Sequence, residues 1–189
     1  VNQTPHLDRM AEEGIKLTQF YVANTACTPS RAALLTGTYA HRIGMDGGKL
    51  KVTFPGDSRG LNPNEITLAE MLRENGYATG CFGKWHLGDQ PQFMPLAQGF
   101  GTYFGIPYSN DMWPLHTSKN PITKRKYEPL PVMRQDQAVA HVADGVDQAL
   151  LAEVITDEAI AFIKKNQKKP FFCYIPHAHV HKPHEYENY

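Results

Sequence analysis

The segment Ala-Cys-Thr-Pro-Ser-Arg, residues 26–31, places a cysteine and an arginine near the start of a predicted short helix. A helix N-terminus is partly positive, so a basic residue there is unfavourable unless it has an anionic partner. The free backbone N–H groups of the first turn and the hydroxyls of Thr28 and Ser30 are further donors for an anion. The position of Arg31 therefore indicates a site for a tetrahedral oxyanion. The positive surroundings would also lower the pKa of the Cys27 thiol. The alternative is that Cys27 is a small buried apolar residue.

A second group of polar residues is Lys84 and His86, in the segment Gly-Lys-Trp-His-Leu-Gly. They lie at the end of a buried strand predicted over residues 77–85, and residues two apart in a strand point to the same side. Open α/β sheets bind ligands at the carboxyl ends of their strands. This pair is therefore expected to face a ligand, the alternative being a surface lysine and a core histidine.

A third group consists of His177, His179 and His181, which would share one face of an extended chain. Three imidazoles could ligate zinc, but the sequence singles out no fourth ligand. We therefore expect one histidine to donate a proton and the others to pack or lie at the surface. The group follows a predicted strand at 171–175, which brings it to the same edge of the sheet.

Helices and buried strands alternate along the chain, which predicts an α/β layered domain with a mostly parallel sheet. Predicted helices cover 4–14, 67–76 and 149–166. A further predicted helix has Thr28 as its cap, Pro29 as its first residue and Gly37 at its end. Predicted strands cover 15–22, 77–85 and 171–175.

Residues 88–148 break this regular pattern, because they are rich in proline, glycine and aromatic residues. A loop of that length inside a compact domain is usually functional or disordered, and its aromatic content favours function. Tyr108, Trp113 and His116 are candidates for contact with a sugar or aryl group. Both ends of the chain interrupt the element pattern, so we expect an internal piece of a larger domain.

The composition excludes several classes of function. Among 189 residues, 19 are Lys or Arg and 19 are Asp or Glu, which gives no support for a nucleic-acid or anionic membrane partner. The apolar runs are too short to span a membrane. Three cysteines form no disulfide framework, since an odd number leaves at least one unpaired.

The motifs together resemble those of the type I sulfatases. CTPSRAALLTG resembles their first signature, C-x-P-S-R, and GYATGCFGKWH resembles their second. FGIPYSND and PFFCYIPHAHVHKP extend the resemblance over nearly the whole chain, and it is strongest to the arylsulfatase A and N-acetylgalactosamine-6-sulfatase group. Thr25 and Phe82 depart from the signatures without touching the chemistry.

The resemblance implies an alkaline phosphatase-like three-layer α/β/α sandwich with a mostly parallel sheet. Residues 1–189 would be part of a single N-terminal catalytic domain that lacks its first strand and its C-terminal portion. Residues 88–148 would be a long loop region on the substrate side.

The resemblance also implies a sulfuric ester hydrolase that uses formylglycine (3-oxoalanine), made from Cys27 by a maturation enzyme. The hydrate would attack the sulfur of a small-molecule or glycan sulfate ester and form a covalent sulfo-enzyme. By this resemblance, Arg31 stabilises the hydrate, Lys84 bridges the nucleophile and the sulfate, and Ser109 binds the sulfate. His86 takes a proton in the elimination step, and His181 protonates the leaving oxygen. His177 and His179 are the alternatives to His181.

One divalent cation, Ca²⁺, is implied as well, with Cys27 as formylglycine contributing the only ligand from this chain. We therefore expect residues 1–189 alone to be inactive. The family resemblance favours a periplasmic, secreted or lysosomal location. Two alternatives are a phosphonate or phosphate monoester hydrolase of the same superfamily and a degenerate, non-catalytic binder of sulfated glycans.

Overall fold

The computed structural model describes residues 3–46, 51–116 and 126–182. The helices are α1 (Pro5–Glu13), α2 (Cys27–Thr36), α3 (Leu68–Glu74) and α4 (Gly145–Asn166). The strands are β1 (Ala78–Lys84), β2 (Thr102–Ile106), β3 (Leu130–Arg134), β4 (Gln137–Val142) and β5 (Phe171–Tyr174). Short 3-10 turns lie at Ala40–Ile43, Pro91–Phe93 and Pro95–Gln98. None of the helices in these ranges is both long enough and apolar enough to cross a membrane.

The five strands form one sheet in the order β4-β3-β2-β1-β5. β1 pairs in parallel with both β2 and β5, whereas β3 is antiparallel to both of its neighbours. Four of the five described strands consequently run in the same direction, which agrees with the mostly parallel sheet predicted from the sequence. The carboxyl ends of β1, β2 and β5 meet at one edge.

Side chains of β1 alternate between two apolar clusters on opposite faces of the sheet. Cys81 packs with α2 and α3 through Ala32 and Ala69. Phe82 packs on the other face against α4, where its ring lies 5.2 Å from that of Phe162. The described residues thus form helix, sheet and helix layers, as expected.

The two helices best specified by sequence have side-chain caps. Thr67 and Glu70 form a reciprocal capping box at the start of α3. Asp144 accepts hydrogen bonds from the backbone of Val146 and Asp147, so α4 begins four residues before the predicted start. The apolar stripe of α4 is buried at Leu151, Ile155, Ala159 and Phe162.

Two local predictions are wrong. Residues 15–22 form no strand; they are exposed, with Ile15 86% accessible, and no neighbouring strand among the described residues pairs with them. The alternation of apolar and polar residues does not by itself make a strand, because the backbone of a strand needs a hydrogen-bonded neighbour. In addition, α2 is capped by Ala26 and begins at Cys27, because the Thr28 hydroxyl bonds to the distant His86 carbonyl rather than to the helix.

The region 88–148 contains more regular structure than the sequence pattern predicts. It holds β2, β3 and β4 as well as two of the 3-10 turns. Pro131 within β3 and Gly105 within β2 hide the strand pattern, since both residues are normally depleted in strands. Residues 117–125 lie outside the described ranges.

Candidate active site

The end of β1 approaches the segment after β5 unusually closely. The backbone N–H of Lys84 donates to the Pro176 carbonyl at 2.8 Å. A Cβ on Gly83 would lie 2.3 Å from that carbonyl oxygen, and Gly83 has φ of 133°, a conformation that side chains rarely adopt. Glycine at this position therefore lets the histidine-bearing segment reach the end of β1.

His86 has a left-handed backbone, with φ of 62°. Such a conformation in a non-glycine residue costs about 1–3 kcal/mol and persists only where surrounding contacts hold it. Its carbonyl accepts from the hydroxyl of Thr28 at 2.8 Å, and its N–H donates to the Pro107 carbonyl at 3.0 Å. These contacts from distant segments fix the imidazole beside the start of α2.

Cys27, Lys84 and Ser109 form a line of contacts across three elements. Lys84 Nζ lies 3.7 Å from Cys27 Sγ and donates to Ser109 Oγ at 2.8 Å. Lys84 is 2% exposed and Ser109 is also 2% exposed. A buried ammonium between a nucleophile position and a hydroxyl is suited to hold an anion bound to both.

The two histidines closest to Cys27 present different nitrogens. His86 Nε2 lies 3.0 Å from the carbonyl oxygen of Thr53, which requires a proton on Nε2 and leaves Nδ1 unprotonated, buried and without a hydrogen-bond partner among the described residues. His181 Nδ1 lies 3.0 Å from the Lys182 carbonyl, which leaves Nε2 for Cys27.

These surroundings stabilise negative charge on residue 27. Burial alone would raise the pKa of the Cys27 thiol, but the hydrogen bond from His181, and then the proximity of His86 and the charge of Lys84, lower the pKa to about 4. The hydrogen bond to Cys27 raises the pKa of His181, whereas burial lowers the pKa of His86 and of Lys84.

Arg31 lies one helical turn beyond Cys27 on the same face of α2, and not in the first turn as the sequence suggests. Its guanidinium donates to the backbone carbonyl of Lys84 and also hydrogen-bonds the hydroxyl of Tyr174. Arg31 therefore ties α2 to β1 and β5 and adds a fixed positive charge beneath the site.

Several of these residues line an open cleft of about 620 Å³, whose lining does not include the buried His86 and Ser109. Cys27, Arg31 and Lys84 form one side, and the segment from Pro176 to His181 forms another, with His177 and His179 at its wall. The structure thus brings together the three groups of residues selected from the sequence. Among the three histidines, the hydrogen bond to Cys27 comes from His181.

The aromatic residues named as candidates for substrate contact lie outside the lining of this cleft, and their role stays a prediction. Trp113 is 1% exposed and packs in the cluster beneath α4. His116 contacts the Asp111 carbonyl through Nδ1 and the ring of Tyr127 edge-on. The cleft lining includes neither these two residues nor Tyr108.

Several buried polar residues that support the site were missed in the sequence. Thr53 has no distinctive sequence signal, because its contacts with Thr28 and His86 join segments far apart in the chain. Asn110 could have been found from its place in the segment Tyr-Ser-Asn-Asp. Gln148 could have been found as a polar residue at helical spacing on the apolar stripe of α4.

The described residues do not by themselves supply a complete metal site. Within residues 3–46, 51–116 and 126–182, no group of three or more His, Cys, Asp or Glu side chains could hold a metal ion. Ca²⁺ takes six to eight oxygen ligands, and the converted Cys27 would provide only a small part of such a set. A calcium site therefore does not fit the described residues alone.

Comparisons with known proteins agree with this geometry. The family model described as Sulfatase matches residues 1–189. Arylsulfatase A from Bos taurus is 37% identical over 195 residues, which cover 95% of this chain and 37% of that protein. N-acetylgalactosamine-6-sulfatase from Canis lupus familiaris is 37% identical over 193 residues, covering 96% of this chain and 35% of that protein.

The crystal structure of the PsFucS1 sulfatase from Pseudoalteromonas sp. superposes with a TM-score of 0.76 at 27% sequence identity. It covers 95% of this chain and 39% of the other. The chain thus spans little more than a third of the length of these proteins. The match over all 189 residues, together with the likeness in sequence and fold, shows that the chain belongs to the sulfatase family.

Proposed function

We propose that the full-length protein hydrolyses sulfate monoesters through a formylglycine hydrate made from Cys27 by a maturation enzyme. The observation that carries this proposal is the position of Cys27 as the first residue of α2, in contact with Lys84, His86 and His181. The relatives named sulfatase support the reaction class.

In the first step, one hydroxyl of the hydrate releases its proton to solvent and its oxygen attacks the sulfur of the ester. A new S–O bond to residue 27 forms as the S–O bond to the alcohol breaks, and His181 donates the proton that the leaving oxygen takes up. Lys84 binds both the attacking oxygen and the sulfate, and Ser109 extends that contact; the contacts of Lys84 Nζ with Cys27 Sγ and Ser109 Oγ support these roles.

In the second step, His86 removes the proton from the remaining hydroxyl through its free Nδ1. The electron pair re-forms the carbonyl of residue 27, the C–O bond to sulfate breaks, and sulfate leaves; water then restores the hydrate. His86 suits this role because Nε2 is committed to the Thr53 carbonyl and burial keeps the imidazole neutral by lowering its pKa. Arg31 supplies fixed positive charge throughout.

The proposal retains Ca²⁺ as the metal of the complete protein, with an oxygen of the converted Cys27 as the ligand from this chain. Because the described residues do not form a calcium site, no step above depends on the ion. The proposed substrate is a sulfate ester of a sugar or aryl alcohol. The name of N-acetylgalactosamine-6-sulfatase supports a sugar ester, and a periplasmic, secreted or lysosomal location would suit such a substrate.

The test uses the full-length protein from a host able to convert the cysteine. Mass spectrometry of the peptide containing Cys27 is expected to show an aldehyde in place of the thiol. The protein should hydrolyse an aryl sulfate, and Cys27→Ala should remove that activity. The isolated 189-residue chain is expected to show no turnover.

Parallel assays with an aryl phosphate separate the main rival. Faster hydrolysis of the phosphate ester than of the sulfate ester would instead identify a phosphomonoester hydrolase of the same superfamily. A plain thiol at residue 27 from a competent host, with binding of sulfated glycan but no turnover, would contradict the enzyme proposal altogether.

A further inference from the structure

The segment that carries His181 is held at both of its ends. At its start, the Pro176 carbonyl accepts from the backbone of Lys84 at 2.8 Å. At its far end, the carbonyl of His181 accepts a longer hydrogen bond of 3.4 Å from Asn110 Nδ2. Asn110 directly follows Ser109, which contacts Lys84, so one short turn after β2 touches both sides of the site.

Asn110 is itself held from the opposite layer of the fold. Gln148, in the first turn of α4, donates from Nε2 to the Asn110 carbonyl at 2.8 Å. Both side chains are 0% exposed. The cap at Asp144 fixes the start of α4 and hence the position of Gln148. A continuous path of hydrogen bonds therefore runs from α4 to the backbone of His181, buried between Gln148 and Asn110 and half-buried between Asn110 and His181.

This path is poorly explained by stability alone. Asn110 Oδ1 and Gln148 Oε1 are buried and find no hydrogen-bond partner within the described part of the chain. A buried polar atom without a partner costs about 1–3 kcal/mol, and apolar residues of the same shape are often as stable. Polar residues that break the pattern of an apolar helix stripe tend to serve function.

We propose that Gln148 and Asn110 are positioning residues that hold His181 within reach of Cys27. The inference rests on the proposed function, in which His181 gives a proton to the leaving oxygen. Neither residue touches the reacting atoms. Their effect is to fix the backbone from which the imidazole projects, and a small displacement of a proton donor is enough to slow the transfer.

The first variant is Gln148→Met in the full-length protein, because methionine keeps the length and shape of the side chain while removing its hydrogen bond to Asn110. Gln98→Met is the matched control. Gln98 is also 0% exposed, donates from Nε2 to the Leu61 carbonyl at 3.0 Å, and has an unpartnered Oε1 among the described residues. Asn110→Ala is a second variant that removes the donor to His181.

The kinetic readout compares two leaving groups. A sugar or alkyl sulfate needs a proton on its leaving oxygen, whereas 4-nitrophenolate leaves without one. Gln148→Met is expected to lower kcat/KM for the sugar sulfate by about 10- to 100-fold and for 4-nitrophenyl sulfate by less than about threefold. Gln98→Met should leave the ratio between the two substrates unchanged. An equal loss on both substrates, or no loss, would overturn the positioning role.

Hydrogen–deuterium exchange provides a readout that does not depend on activity. Faster exchange in the peptide covering 176–182 is expected for Gln148→Met and Asn110→Ala, and unchanged exchange there for Gln98→Met. If the wild-type protein shows no sulfatase turnover, the proposed function fails. The exchange measurement then decides by itself whether Gln148 and Asn110 hold the segment 176–182 in place. Unchanged exchange in both site variants would refute it.

Discussion

At the scale of single residues, the two histidines beside Cys27 have pKa values shifted in opposite directions. Burial lowers the pKa of His86, whose Nε2 proton is held by the Thr53 carbonyl, and this favours the neutral imidazole that the proposed base requires. The hydrogen bond to Cys27 raises the pKa of His181, which favours its protonated form. Where two similar groups have pKa values shifted in opposite directions, the group with the higher pKa is suited to be the acid and the other to be the base.

The first residue-scale prediction concerns Cys27 in protein made without maturation. Its pKa of about 4 means that the thiolate is present at any pH above that value and is lost only as the pH falls through it. Iodoacetamide should therefore label Cys27 at pH 5.5 nearly as fast as at pH 7.5, measured by mass spectrometry.

The other two cysteines are the internal controls for that measurement. Burial raises the pKa of Cys81 and raises the pKa of Cys173 to about 11, so both should stay unlabelled under the same conditions. A labelling rate at Cys27 that climbs tenfold per pH unit between 5.5 and 7.5 would mean that the site does not stabilise an anion there.

At the scale of elements, the site depends on the close crossing of β1 and the segment after β5. Gly83→Ala would place a methyl group 2.3 Å from the Pro176 carbonyl at a φ of 133°. We expect the free energy of unfolding to fall by about 2 kcal/mol or more, measured by denaturant titration.

Gly37→Ala is the control for that substitution. Gly37 ends α2 in a left-handed conformation, but a Cβ there would meet nothing within 4 Å. Gly37→Ala should lower the free energy of unfolding by only about 1 kcal/mol, because it costs the left-handed backbone conformation and creates no steric clash. Equal losses in the two variants would show that the approach of Pro176 contributes nothing.

The sequence predicts those elements whose signals are local. The capping box of Thr67 and Glu70, the apolar stripe of α4 and the buried run of β1 each lie within one short window. The pairing of Gly80 with Cys173 joins residues far apart in the chain and has no local signal. Residues 15–22 show the reverse case, an alternating pattern with no strand beside it in the described structure.

The site itself is predictable to the same extent. Cys27, Lys84 and His181 could be selected because each sits in a short motif of chemically active residue types. Thr53 and Gln148 could not be assigned a role from sequence, since their effect arises from hydrogen bonds to Thr28, His86 and Asn110 that only the folded chain creates.

At the scale of the whole molecule, one core polar group stands out. Tyr103 is 0% exposed, and its hydroxyl finds no hydrogen-bond partner among the described residues. Burial raises the pKa of that hydroxyl well above its usual range. Tyr103→Phe removes the unpaired group without opening a cavity, so the free energy of unfolding should rise by about 1 kcal/mol.

Thermal and denaturant unfolding of the full-length protein measure this change. Tyr39→Phe is the control, because Tyr39 is 62% exposed and its hydroxyl is available to solvent. It should alter stability by less than about 0.5 kcal/mol. A loss of stability in Tyr103→Phe would instead indicate that a buried water satisfies the hydroxyl.

The position of β1 between β2 and β5 has a consequence for the timing of biosynthesis. β5 and His181 follow Cys27 by about 150 residues, which a ribosome adds in on the order of 10 to 30 s. Until then Cys27 cannot be enclosed by its partners, and a converting enzyme has access to an open, unfolded segment. The late arrival of β5 thus leaves an interval during translation in which the proposed modification can precede closure of the cleft.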